Sequence, residues 1–307
     1  MTLSGMMSLW SNNLLSKKNT VNYLEDLIED KAAYFAAFVK QKDADIDLGQ
    51  TAIMLAGEQH PDLRLESYFN HLNKLEAEVF NCHKTYLSEN AKDDVDTQMA
   101  ALKKVIYDDF GYQGNTQNYD HIDNADLIRV IDERKGLPVA LGIIWITLAR
   151  RLGWIAEGLN FPGHFYCRLT KDGQQRIIDP FEEGRPVGAA DMREKLKQLR
   201  GEHAELSSTY HQGVKNKDIL IRLQNNIKIR QVSAEDFEGA LKTVERMQLI
   251  DPKEPRLFFD SGILYAKLEQ PKAAVAALET YLSFDTLSAL DKEEAHTLIA
   301  QIRSILQ

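Results

Sequence analysis

Apolar residues recur at spacings of three and four through the first third of the chain, which is the period of an amphipathic helix. The pattern runs from about residue 20 to residue 87 and includes a short buried helix predicted at Leu48–Gly57. A further helix is predicted over Asp93–Tyr107. We therefore expect an N-terminal helical layer over residues 18–110 that covers the rest of the fold, preceded by a disordered tail at residues 1–17.

The next segment contains a glycine-rich loop and then the most apolar helix of the chain. The loop, Gly111–Asn115, is followed by no Lys-Ser/Thr pair of the kind that completes a phosphate-binding loop, so we interpret it as a connection. Val139–Leu152 is apolar on nearly every side, which predicts a buried central helix. Pro138 suits the first turn of this helix, where a missing N–H costs nothing, and Gly153 marks its end.

Beyond Gly153 the hydrophobic period changes to two, which is typical of strands. Three strands are predicted, at Ile155–Leu159, His164–Thr170 and Arg176–Asp179. Between the last two, Asp172-Gly173 is a two-residue hairpin signal. The sequence thus predicts a small antiparallel sheet directly after the central helix.

The hairpin decides which side chains share a face of the sheet. If the two residues that flank the turn pair with each other, Asp179 lies opposite Tyr166 and diagonal to His164, and all three point the same way. A diagonal pair of backbones is about 7–8 Å apart, which an imidazole and a carboxylate can bridge. Cys167 is predicted to point to the opposite face.

The C-terminal third repeats itself with a period of 34 residues, because Phe237–Asp251 recurs as Pro271–Asp285. This is the period of tetratricopeptide repeats. We predict a core domain at residues 111–200, a linker at residues 201–217 and a repeat region at residues 218–307. The repeat region is expected to end in a capping helix at Lys292–Leu306.

Composition and charge limit the kinds of partner and the cellular location that we expect for this protein. Lys and Arg number 37 against 46 Asp and Glu, giving a net charge of -9, so the molecule should on average repel nucleic acid and anionic membrane. No apolar run approaches the ~18 residues of a membrane span. Cys82 and Cys167 are too few for a disulfide framework or a thiolate zinc site. We expect a cytoplasmic protein without metal or cofactor and without a nucleic-acid or membrane partner.

Several motifs carry a family resemblance. They are Gly136-Leu137-Pro138, the run from Asn160 to His164, Asp179-Pro180-Phe181, and Asn226 within the first repeat. On these residues the chain resembles the SirB family, bacterial proteins of the transglutaminase-like superfamily. The resemblance implies an α+β, mainly helical fold with a transglutaminase/papain-like core, made of a central helix and a small antiparallel sheet. A helical tetratricopeptide-repeat array follows that core, and the family is associated with regulation.

The resemblance also implies the roles of the site residues. In active members of the superfamily a cysteine at the start of the central helix is the nucleophile, a histidine is the base, and an aspartate orients it. These roles carry over to His164 and Asp179, and the cysteine position falls on Pro138, beside Val139. The chain has no Ser, Thr or Cys between Gly136 and Ile146. The triad is therefore predicted to be degenerate.

Three interpretations of His164 and Asp179 remain open. They can be a buried pair that satisfies each other's hydrogen bonds inside the fold. They can line a groove with Pro138, Asn160 and Tyr166 that binds a peptide or small molecule without turning it over. They can also be catalytic, acting on a bound water or with a thiol from elsewhere.

The sequence favours a non-catalytic regulatory protein in which the repeats bind a protein or peptide and the core supplies a second groove. The alternative is a divergent cysteine-protease-like hydrolase or transamidase that uses His164 and Asp179. Its thiol would have to come from Cys167, predicted to face away, or from Cys82 on an N-terminal helix. Neither reading specifies an oligomeric state.

Overall fold

The computed structural model describes residues 31–305. The predicted tail, residues 18–30 of the predicted helical layer and the last residue of the predicted capping helix lie outside the described residues. The helices predicted for the first third are present where the chain is described: α1 Lys31–Phe38, α2 Leu48–Gly57, α3 Glu66–Ser88 and α4 Val95–Lys103. Helix α2 begins where predicted because the Asp47 carboxylate accepts a hydrogen bond from Gln50 N at 2.8 Å. Among residues 31–305, no helix combines the length and the apolarity that crossing a bilayer requires.

The end of α4 differs from the single helix predicted over Asp93–Tyr107. The chain continues from α4 as a π-helix, Lys104–Asp109, in which Phe110 N bonds to Val105 O, five residues back. Such wider turns occur mostly as short insertions and often lie at functional sites. Apolar spacing does not separate a π turn from an α turn over so short a segment.

The central helix forms as predicted. It is α6, Pro138–Arg151, and every residue from Pro138 to Ala149 is buried. It follows the short helix α5, Leu127–Glu133, whose first turn is capped by the Asp126 carboxylate at 2.9 Å from Ile128 N. Helices α2, α3 and α4 surround α6, so the main hydrophobic core is built around this one helix.

A four-stranded antiparallel sheet lies against α6, and its strands lie side by side in chain order. Its strands are β3 Ile155–Gly158, β4 Cys167–Lys171, β5 Gln174–Asp179 and β6 Arg185–Pro186. The predicted hairpin is confirmed, since Lys171 pairs with Gln174. A second, two-stranded parallel pair, β1 Gln113–Gly114 and β2 Lys135–Gly136, lies where the sequence predicted only a connecting loop.

The prediction that a strand starts at His164 is wrong, because β4 starts at Cys167 and residues 160–166 form a loop. Pro162 has no N–H to donate to a neighbouring strand. Gly163 has φ +72°, a left-handed conformation that a strand does not contain. These two residues turn the chain before the strand begins.

The two faces of the sheet pack against different helices. Phe165 and Cys167 belong to the main core with α6. Tyr166 belongs to a separate cluster with Met192 and Leu196 of α7, Ala189–Arg200. Cys167 and Tyr166 therefore lie on opposite faces, as the alternation of strand residues predicts.

Five helices complete the described part of the chain: α8 Asn216–Ser233, α9 Phe237–Ile250, α10 Pro255–Lys267, α11 Pro271–Leu282 and α12 Ala289–Ile305. They follow one another as antiparallel neighbours, which is the arrangement of a helical repeat array. The core followed by this array gives the mainly helical α+β architecture expected from the sequence.

The array is joined to the core by packing as well as by the chain. Ile219, Leu220, Leu223 and Ile227 of α8 are buried in the main core cluster. The segment predicted as a linker is hydrogen-bonded along β3, with Val214 N bonded to Gly158 O at 2.9 Å. Helix α8 is thus both the first helix of the array and a wall of the core.

Candidate functional site

His164 and Asp179, which we call the dyad, meet at the end of the sheet. His164 Nε2 lies 2.8 Å from Asp179 Oδ2, and the two side chains are only 5% and 2% exposed. A carboxylate accepts hydrogen bonds, so Nε2 supplies the hydrogen of this contact, and in a neutral ring with that tautomer Nδ1 is the acceptor nitrogen. The second carboxylate oxygen of Asp179 accepts from Phe181 N at 2.9 Å. One carboxylate thus orients the imidazole and closes the turn that follows β5.

Two glycines leave the space that is filled by the ring of Phe165, the residue after His164. A Cβ on Gly142 of α6 would lie 2.5 Å from the Phe165 ring, and a Cβ on Gly158 of β3 would lie 2.4 Å from the same ring. Phe165 therefore fills a slot between the central helix and the sheet that only glycines on both sides leave open. Its burial anchors the loop from which His164 projects.

The turn after Asp179 is held by a tyrosine of the π-helix. Tyr107 Oη donates a hydrogen bond to Pro180 O at 3.1 Å, and burial raises the pKa of Tyr107 well above its usual value. Gly184, at φ +67°, passes so close that a Cβ there would lie 2.8 Å from the Tyr107 ring. The π-helix thus places the buried Tyr107 hydroxyl against Pro180, the residue after Asp179.

Phe181 links this turn to the start of α6. A Cβ on Gly114 would lie 2.5 Å from Phe181 O, so the turn rests directly on β1. Gly114 pairs with Gly136, two residues before Pro138. The glycine-rich segment therefore allows the turn after Asp179 to pack closely against the strands that lead into the central helix.

An asparagine organises the entrance to α6. Asn124 is buried, its carbonyl accepts from Leu137 N at 2.8 Å, and its Nδ2 donates to Asn118 O at 2.6 Å. Asn115 Nδ2 donates to the Asn124 side-chain oxygen at 2.9 Å. This network ties the loop at residues 115–124 to Leu137, the residue before the first turn of α6.

The residues predicted to line a groove are found in different surroundings. Pro138 is buried as the first residue of α6. Tyr166 is 2% exposed and its ring packs on His164 and Phe161, with ring centroids 4.8 and 4.9 Å away. Asn160 is exposed, and its main-chain N bonds to Gln212 O at 3.0 Å. Of the three, Tyr166 contacts the dyad directly.

Neither cysteine has the surroundings of a nucleophile. Cys167 is fully buried, its Sγ lies 3.8 Å from Gly142 O, and burial raises the pKa of its thiol well above the usual value. Burial likewise raises the pKa of Cys82, which lies beside Tyr86 on α3. A thiolate is the reactive form, so both environments favour the inert thiol. Within residues 31–305 no three His, Cys, Asp or Glu side chains are grouped to hold a metal ion.

Sequence reasoning missed the residues that support the dyad from a distance. Tyr107 and Arg222 bond to the loops that carry Asp179 and His164, and each comes from a separate helix. Asn124 bonds to the neighbouring loop at Asn118. Arg222 donates from α8 to His164 O at 2.6 Å. The resemblance singled out Asn226, one turn further along α8, but not Arg222.

Comparison with known proteins agrees with this architecture. Residues 66–225, just over half of the chain, match the family model of the transglutaminase-like superfamily, and residues 227–307 match a tetratricopeptide-repeat model. The chain belongs to the transglutaminase-like superfamily.

The chain is also similar to several individual proteins. The chain is 29% identical to a UPF0162 protein of Xylella fastidiosa over 78% of this chain and 84% of that protein. It is 25% identical to protein SirB1 of Salmonella typhimurium over 66% of this chain and 77% of that protein. Human F-box only protein 21 is 25% identical over 67% of this chain and 31% of its own length. No solved structure gives a significant match.

The combination of a transglutaminase-like region, C-terminal repeats and similarity to SirB1 confirms the SirB-like resemblance. The two family matches meet within α8, between residues 225 and 227. That helix is the one that packs into the core and also begins the array.

Proposed function

We propose that this protein is a non-catalytic, regulatory protein-interaction protein whose repeats bind a protein or peptide partner. The observation that carries the proposal is the pairing of an intact His164–Asp179 contact with a proline at the nucleophile position. Pro138 has neither a thiol nor a hydroxyl, and the thiols of Cys82 and Cys167 both have raised pKa values. A base without a nucleophile holds or orients a ligand more readily than it forms a covalent intermediate.

A surface of the array supports the partner-binding part of the proposal. Ile229 of α8 and Ile263 of α10 are 34 residues apart and therefore occupy equivalent positions of successive repeats. They are 52% and 37% exposed. Lys228 Nζ bonds to Asp260 Oδ2 at 2.6 Å, which holds α8 beside α10. Exposed apolar side chains that recur with the repeat are typical of a binding face.

The dyad has a binding role in this proposal. Asp179 bonds to Nε2 of the His164 ring, and the Tyr166 ring packs against it. The other ring nitrogen, Nδ1, is left to accept a hydrogen bond from a ligand. The dyad and the array would then act on one partner, since α8 packs into the core and also begins the array. We place this activity in the cytoplasm, where thiols such as Cys82 remain reduced.

Variants of the full-length chain test the array. Ile229→Glu with Ile263→Glu puts charges on the proposed face, and Leu249→Glu, at a side chain 40% exposed on α9, is the matched control. Proteins cross-linked to each variant in cytosol are quantified by mass spectrometry. We expect one set of partners to be lost with the double variant and kept with the control. An identical set for all variants would show that this face does not bind.

A separate assay tests the non-catalytic part. Ammonia release from glutamine-containing peptides, and hydrolysis of peptide amides, is measured for the wild-type chain and for His164→Gln. We expect no turnover from either. Turnover that disappears in His164→Gln would establish the alternative, a divergent hydrolase or transamidase acting through His164 and Asp179.

A further inference from the structure

Helix α8 carries three polar residues at four-residue intervals, so they lie along one side of the helix. They are Arg222, Asn226 and Arg230. Asn226 Nδ2 donates to Arg222 O at 2.8 Å, and Arg230 Nη1 donates to Asn226 O at 3.0 Å. We call these three residues the α8 ridge.

The first residue of the α8 ridge bonds the loop that carries His164. Arg222 Nη2 donates to His164 O at 2.6 Å, and Nη1 donates to Phe161 O at 3.2 Å. Its guanidinium carbon lies 5.6 Å from the centroid of the Phe165 ring. One planar guanidinium therefore spans the loop between β3 and β4 and covers the side chain that anchors it.

The charge of Arg222 is compensated differently from that of other buried arginines. Burial lowers the pKa of Arg150 and Arg246, and nearby carboxylates such as Glu157 and Glu58 oppose that shift. Around Arg151, burial also acts downward, but Asp47 and Glu76 raise its pKa overall. In the part of the chain that the structure describes, burial lowers the pKa of Arg222 and the neighbour that raises it is Tyr119. Backbone carbonyls and an aromatic ring thus take the place of a counter-ion, which ties the cation to the geometry of this loop.

The last residue of the α8 ridge holds the opposite side of the dyad. Arg230 Nε donates to Asp120 O at 2.9 Å, and Nη2 donates to Tyr119 O at 3.1 Å. The Tyr119 ring packs edge-on against Phe181, with centroids 5.6 Å apart. Phe181 N is the group that bonds to Asp179. Both partners of the dyad are therefore reached from one side of one helix.

We propose that Arg222 is a positioning residue for His164, and that through the α8 ridge the repeat array sets the geometry of the dyad. The inference deepens the proposed function and rests on it, because it assigns the dyad to the same binding unit as the array. It concerns contacts within the chain, so its test requires no partner.

The equivalent arginine of the second repeat supplies a matched control. Arg256 lies 34 residues after Arg222, and its side chain is 73% exposed with Asp260 as its ion partner. Arg222→Lys keeps the charge and the aliphatic stem but cannot make two parallel bonds to separated carbonyls. Arg256→Lys makes the same chemical change away from the dyad.

The readout is the imidazole N–H proton of His164, observed by NMR and assigned by its loss in His164→Gln and its shift in Asp179→Asn. Amide exchange of Leu159, which bonds to Tyr166 O at 3.0 Å across the loop, is measured on the same samples. We expect Arg222→Lys to shift or broaden the imidazole signal and to speed Leu159 exchange about ten-fold. Arg256→Lys should change neither.

Two outcomes overturn the inference. An unchanged imidazole signal in Arg222→Lys would show that Arg222 does not position His164. Equal effects of Arg222→Lys and Arg256→Lys would assign the change to general loss of array stability. The proposed function fails separately, if the Ile229 and Ile263 variants keep every partner while the imidazole signal still depends on Arg222.

Discussion

Asn216 Nδ2 donates a hydrogen bond to the main-chain carbonyl of Asp43 at 2.6 Å, joining residues 173 positions apart. The Asp43 carboxylate in turn accepts from Asn216 N and Lys217 N, both at 2.9 Å. An acidic side chain of the N-terminal layer therefore caps the first turn of α8. Arg150 Nη1 also donates to Asn216 Oδ1, at 2.6 Å, so the central helix shares this junction.

Asp43→Ala is expected to destabilise the whole chain by about 1–2 kcal/mol, the usual cost of losing a helix cap. Urea unfolding followed by circular dichroism measures the free energy of unfolding. Asp45→Ala is the control, because Asp45 is exposed in the same short helical turn. Equal stability of the two variants would mean that the α8 junction contributes nothing beyond the local turn.

Gly142→Ala should cost about 1–3 kcal/mol, because the new methyl group would collide with the Phe165 ring and lies 3.1 Å from Cys167 Sγ. Thermal unfolding measures the loss. Adding Phe165→Leu should recover part of it, so that the double variant is more stable than the sum of the two single changes predicts. Strict additivity would contradict the tight slot described for Phe165.

Asp126 supports two contacts that substitutions can separate. Its Oδ1 caps α5, and its Oδ2 lies 2.7 Å from His60 Nε2. Asp126→Ala removes both and should cost about 2 kcal/mol, whereas Asp126→Asn keeps a capping oxygen and should cost less. Chemical unfolding of both variants in wild-type and His60→Ala backgrounds gives the coupling energy. A coupling of zero would show that His60 adds no stability through this contact.

His71 gives stability a specific dependence on pH. Burial first, then the charges of Arg134 and Lys74, lower the pKa of His71 to about 4, and Tyr112 Oη lies 2.9 Å from its Nε2. The neutral ring is the folded form, while an unfolded histidine takes up a proton near pH 6.5. The contribution of His71 is therefore complete above about pH 6.5 and is lost as the pH falls toward 4.

Unfolding free energies measured between pH 7 and pH 4 test this sign. The wild-type chain should lose more stability over that range than His71→Gln, which cannot take up the proton. The exposed His296, replaced in the same way, is the control. A wild-type slope that matches the His71→Gln slope would refute the prediction.

Periodicity alone is enough to predict α6 and the hairpin, because both depend on neighbours close in sequence. The nearly continuous apolar run predicts the burial of Pro138 to Ala149, and Asp172-Gly173 predicts the pairing of Lys171 with Gln174. The same register brings Asp179 to the end of the sheet, but its contact with His164 also depends on the loop at residues 160–166.

The loops around the dyad could not be predicted in the same way. Their conformation depends on side chains that approach from far along the chain, such as Arg222 from α8 and Tyr107 from the π-helix. Neither residue differs in its local sequence pattern from an ordinary helical surface or core residue. The early end of the predicted His164 strand has a local cause in Pro162 and Gly163, which alternation of apolar residues overlooks.

The burial of α8 in the core restricts how this array can change in length. Repeat proteins ordinarily need a specialised unit at each end to cover the open hydrophobic face. Here the core itself covers the first helix, through Ile219, Leu223 and their neighbours, and α12 covers the last pair through Ile299 and Ile302. Because the core occupies the face of α8 that a preceding repeat would cover, further repeats could extend the array only on the side away from the core.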